Sequence, residues 1–159
     1  MSRYAENTEV SSEKSRAEIE RTLTRYGADA FAYSMDGRDV QILFRMKDRH
    51  YRFRLKLPDP KDDEFWIYLR GSVRYQRDDG PAREKWEQAC RQLWRALALV
   101  IKAKLEAVAA GISTVEDEFL AAMILPDRQT VGEWIRPGIE EAYRVGSMPQ
   151  HLMLEGPRD

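Results

Sequence analysis

In the stretch FRMKDRHYRFRLKL, residues 44–57, basic side chains alternate with large apolar ones. Successive side chains of a strand point to opposite faces, so this alternation gathers charge on one side. With Tyr51, Phe53, Leu55 and Leu57 as the buried row, His50, Arg52, Arg54 and Lys56 share the other face. Arg45, on the preceding strand, joins that face beside Gln41. The chemistry offered is non-covalent. Cations along a two-stranded ribbon can track phosphates, and such a ribbon can enter a major groove. With Arg38, Lys47 and Arg49 at the ribbon's turns, the candidate nucleic-acid contacts are Arg38, Arg45, Lys47, Arg49, Arg52, Arg54 and Lys56.

Residues 38–56 hold those seven cations against two anions, Asp39 and Asp48, a balance of +5. Residues 113–141 hold seven anions, Glu116 and Glu133 among them, against Arg128 and Arg136, a balance of −5. The net charge of −1 therefore hides a segregated chain. Three readings of the basic face stay open. It is the wet side of an antiparallel sheet, where charge discourages edge pairing. It grips an external anion. Or the acidic segment folds over it.

Covalent and metal chemistry find less to work with. The two histidines are His50, in the ribbon, and His151, in the C-terminal tail, and neither belongs to a zinc or metalloprotease pattern. Cys90 sits on the apolar face of a long helix, where a buried thiol is inert. The pairs Asp62-Asp63 and Asp78-Asp79 read as linker and helix-cap residues, because adjacent acids need a third ligand to hold a divalent ion. Phosphate loops are absent. The expectation is a chain with no catalytic residue, no metal and no cofactor, and a metal-dependent nuclease is the weakest alternative.

The elements that must position these residues are legible from their periodicity. Ser11 or Ser12 caps a helix over about 12–26, with Ile19, Leu23 and Tyr26 as its stripe and Gly27 ending it. Asp36-Gly37 and Lys47-Asp48-Arg49 are turns of a three-stranded antiparallel meander. Phe65–Leu69 is a candidate fourth strand, and residues 71–80 read as a polar connection. From about 81 to 110 runs a long amphipathic helix. Its residues Trp86, Leu93, Trp94, Leu97, Ile101 and Leu105 form a candidate seam for a homodimer. Two capping boxes follow, at Ser113–Glu116 and Thr130–Glu133. Pro137 is expected to kink or split the last helix. The fold class is α+β, with the N-terminal helix, a three- to four-stranded meander, the long helix and a helical C-terminal part. Residues 1–10 read as frayed, 11–146 as one domain, and 147–159 as an extended tail.

Apolar residues make up 43% of the 159, enough for one core. A single cysteine rules out an internal disulfide, and no stretch approaches a membrane span or a secretory signal. Both observations point to the cytoplasm.

Two segments, SSEKSRAEIERTLTRYGADAF (11–31) and WRALALVIKAKLEAVAAGISTVEDEFLAAMILPDRQTVGEWIRP (94–137), resemble a family of short proteins encoded by bacterial phages and prophages. The resemblance spans roughly 11–150. It implies the cytoplasm of a bacterial host. It also implies one of two roles common among small phage-encoded proteins: handling DNA or RNA, or binding and blocking a host protein such as a defence or nucleic-acid enzyme. It assigns no site residue.

Overall fold

The computed structural model describes Ala5 and residues 7–148. Helix α1 (Ser12–Arg25) starts where the Ser11 hydroxyl accepts the Lys14 N–H, and beyond its end Gly27 takes φ +103°. Strands β1 (Ala30–Asp36), β2 (Asp39–Met46) and β3 (Arg49–Lys56) then form one antiparallel sheet in the order β1-β2-β3. The first turn is Gly37-Arg38, one residue later than the sequence pattern places it, and Asp36 pairs with Asp39 across it. The second is Lys47-Asp48, both left-handed at φ 49° and 57°. That geometry suits the right-handed twist of a two-residue hairpin.

Register puts Phe31, Phe44 and Tyr51 in one row and Tyr33, Ile42 and Phe53 in the next. These rows face inward. Ile19 and Leu23 of α1 share the core with them, as do Trp94, Ala98, Ile101 and Leu105 of α3 (Asp79–Ala109). Phe44 stacks on Tyr51 at 5.0 Å, and Phe119 meets Phe44 edge-on at 5.5 Å. Such aromatic packing adds about 0.5–1.5 kcal/mol per pair beyond area burial.

Three expectations can be set against this fold. The fourth strand does not extend the meander. Asp63–Trp66 forms a single helical turn, α2, and β4 (Ile67–Arg70) pairs with β5 (Val73–Gln76) in a separate two-stranded sheet. Gly71, at φ +61°, makes the tight turn between them, inside what read as a polar connection. The candidate seam residues of α3 pack largely within the chain. Trp94, Ile101 and Leu105 are core residues, Trp86 and Leu97 pack against that core, and Leu93 is half-buried. At 31 residues α3 is about 46 Å long, yet its buried positions run from Ala82 to Leu105, so neither end stands clear of its own chain. Pro137 does not split the last helix, α5 (Val131–Val145). It removes only the bond its own N–H would make to the Glu133 carbonyl, and the helix runs on.

The C-terminal part returns to the sheet. Thr114 caps the short helix α4 (Val115–Glu118) by accepting the Asp117 N–H, one residue later than the Ser113–Glu116 box predicts. After a 3-10 turn (Leu120–Ala122), Met123 forms a bridge with Tyr51, and the Ile124 N–H donates to the His50 carbonyl at 2.8 Å. Thr130 and Glu133 make the second capping box as the sequence predicts, opening α5. At the other end, Ala5 is buried and the Thr8 carbonyl accepts from Gln88 of α3, while residues 1–4 and 6 of the segment read as frayed lie outside the described residues.

Candidate functional site

The outer face of the sheet can be read row by row from its register. Arg45 lies opposite His50, Leu43 opposite Arg52, Gln41 opposite Arg54, and Asp39 opposite Lys56. The alternation thus does gather His50, Arg52, Arg54, Lys56 and Arg45 on one side. Lys47 lies in the β2–β3 turn, Arg49 opens β3, and Arg38 lies in the β1–β2 turn.

Most of these cations already have a carboxylate. Arg52 donates to Glu133 at 2.6 Å, and Arg54 meets the other Glu133 oxygen at 2.7 Å. Arg45 donates to Asp29 at 2.8 Å. Arg38 pairs with Asp59 at 3.5 Å and Lys47 with Glu116 at 4.0 Å. Among the described residues, Arg49 and Lys56 have no ion pair. The acidic segment therefore reaches the ribbon at two points, Glu133 on the middle of β3 and Glu116 at the β2–β3 turn.

Glu133 holds this arrangement together. One of its oxygens accepts both the Thr130 N–H, at 2.8 Å, and the Arg52 guanidinium. The Thr130 N–H, followed by the charges of Arg52 and Arg54, holds its carboxyl below the ordinary glutamate value. Arg52 has a side chain only 12% exposed, so its charge is partly desolvated and depends on that partner. The sequence marks Glu133 as a cap residue through Thr130. Its reach to β3 spans 81 positions and carries no local signal.

The remaining sequence candidates are dispersed. Asp63 pairs with Arg74 at 2.8 Å, and Asp62 and Asp78 stand at helix starts. Burial pushes the Cys90 thiol up to about 11, which keeps it protonated and unreactive. Among the described residues no group of His, Cys, Asp and Glu could hold a metal ion. None of their helices is long and apolar enough to cross a membrane. His151 lies outside the described residues.

What the sequence did not announce is apolar surface left in water. Trp134, Ile139, Tyr143 and Val145 of α5 are exposed, Tyr143 to 88%. The hairpin β4–β5 exposes Leu69, at 70%, and Val73, and its Tyr68 and Tyr75 stack at 5.5 Å. A two-stranded hairpin alone is marginal in water, and exposed apolar groups of this kind mark interaction surfaces. None of the protein-family models, curated proteins or solved structures compared with the chain matches it.

Proposed function

We propose that the chain is a non-enzymatic protein-binding module that engages its partner through helix α5. One contrast carries the reading: the ribbon's cations are largely satisfied by the chain's own carboxylates, while α5 holds large apolar side chains in solvent. Trp134, Gly138, Ala142 and Val145 follow one another at helical spacing, and Ile135, Ile139 and Tyr143 form the adjacent row. Trp134, Ile139, Tyr143 and Val145 are exposed along these rows. An amphipathic helix of this pattern suits a groove on another protein. The resemblance to phage-encoded proteins makes a bacterial host protein, inhibited by being covered, the partner this reading favours.

The test uses the intact chain as bait in bacterial lysate, beside the double variant Ile139→Glu/Tyr143→Glu. The expected outcome is a specific protein held by the wild type and lost by the variant, with unchanged circular dichroism. Retention of the same protein by the variant would remove α5 from the interface.

A nucleic-acid role for the ribbon has one observation in its favour: among the described residues, Arg49 and Lys56 have no carboxylate partner. The salt dependence of binding tests it.

A further inference from the structure

A cleft of about 590 Å³ opens between the start of α1, the β1–β2 hairpin and the first half of α3. Its size falls within the range of about 300–1,000 Å³ typical of small-molecule sites. Three aromatic residues line it: Tyr33 of β1, and Trp86 and Trp94 of α3. Tyr33 and Trp94 lie 5.8 Å apart and tilted, while the Trp86 indole N–H is fixed by the Pro58 carbonyl at 2.9 Å. Both tethers hold the rings in place without a ligand.

The polar lining is as specific. Arg16 lies over the Tyr33 ring at 4.7 Å, and Arg91 donates to the side-chain oxygen of Gln88. Among the described residues neither guanidinium has a carboxylate within ion-pairing distance, unlike five of the seven ribbon cations. A third, Arg38, is only loosely held by Asp59 at 3.5 Å. Glu13 and Glu87 also line the cleft, so it is not a uniform basic trough that takes any polyanion. Aromatic walls recognise a flat ring, guanidinium groups recognise phosphate or carboxylate, and a carboxylate can accept from an exocyclic amine.

We propose that this cleft is a binding site for a small planar aromatic carrying one anionic group, with the chemistry of a nucleoside monophosphate. The ring lies against Trp86 and Tyr33, and the anion is held by Arg16 and Arg91. The neutral Cys90 thiol on the same wall adds no charge that would repel an anion. This site is separate from the α5 face and stands or falls independently of it.

The experiment titrates the intact protein with the four ribonucleoside monophosphates, the matching nucleosides and ribose 5-phosphate, and follows the four indole N–H resonances by NMR. Saturable binding of at least one monophosphate with Kd below about 1 mM is expected, with the nucleoside and the sugar phosphate each weaker by about tenfold or more. The Trp86 and Trp94 signals should move and those of Trp66 and Trp134 should not. Arg16→Gln and Arg91→Gln should each weaken binding about tenfold while the resonances of the free protein stay dispersed. No saturable shift with any monophosphate, equal shifts at all four tryptophans, or unchanged affinity when Arg16→Gln and Arg91→Gln are combined would each overturn the proposal. Because one side chain is exchanged for another polar one at half-buried positions, Trp86→Phe serves as a second probe. It removes the indole's reporter signal and should weaken the same ligand, whereas unchanged affinity again counts against the site.

Discussion

One carboxylate, Glu133, pairs with both Arg52 and Arg54 in the middle of the ribbon, so its protonation should be visible in stability. Its folded pKa is depressed, and a depressed acid contributes stability that is complete above its ordinary value and lost as pH falls through the folded one. Replacing it should cost about 2–3 kcal/mol at neutral pH, because Arg52 is left partly buried and unpaired. Urea unfolding of the wild type and Glu133→Gln between about pH 3 and 7 checks this, with the difference shrinking as the solution is acidified. A difference that grows toward acid would contradict the ion pairs. Tyr51 makes the opposite case. Its ring is fully buried, but its hydroxyl has no hydrogen-bond partner among the described residues. A buried hydroxyl without a partner costs roughly 1–3 kcal/mol, so Tyr51→Phe should be neutral or stabilising. Loss of more than about 1 kcal/mol on that substitution would mean the hydroxyl is satisfied after all.

Elements were legible where period and punctuation agreed. The alternation from Val40 to Leu57 placed two strands and their faces, and Ser11, Gly27 and Thr130 marked helix ends by cap chemistry. What failed to show was pairing at a distance. Nothing around Ile67–Leu69 says that these residues turn back at Gly71 to form their own hairpin instead of joining the meander. Likewise the stripe of α3 reads the same whether its partner is another helix or the chain's own sheet, because periodicity records a buried face and not what buries it. The candidate cleft was less legible still. Arg16 and Arg91 lie 75 positions apart on different helices, and only the packing of α1 on α3 brings them to one opening. The packing of α3 within the chain is testable. Leu105→Ala should destabilise by about 2–5 kcal/mol, as for any fully buried leucine, and the loss should be the same at all protein concentrations. A concentration-dependent loss would return Leu105 to an intersubunit seam.

At the scale of the whole molecule five of the seven ribbon cations are paired with the chain's own carboxylates, and that sets what the ribbon can do with nucleic acid. The affinity of a protein for duplex DNA falls with salt by a logarithmic slope of about 0.9 per phosphate neutralised. Were all seven ribbon cations available, the slope would approach about −6. With only Arg49 and Lys56 free of carboxylates among the described residues, it should be no steeper than about −2, and binding should be weak even at low salt. Fluorescence anisotropy of a short labelled duplex across a salt series measures this directly. The choice of variants matters. Reversing Arg52 and Arg54 would leave Glu133 among like charges, and the docking of α5 would fail before any DNA contact was tested. Arg49→Glu and Lys56→Glu disturb no ion pair, so they probe the surface alone, and together they should abolish the residual binding. A slope near −6 in the wild type that falls only to about −4.5 with both substitutions would mean that the carboxylates yield their cations to phosphate, with the acidic segment lifting away from the sheet as the nucleic acid arrives. That outcome would turn Glu133 from a structural tie into the competitor that sets the affinity, and Glu133→Gln would then bind DNA more tightly than the wild type.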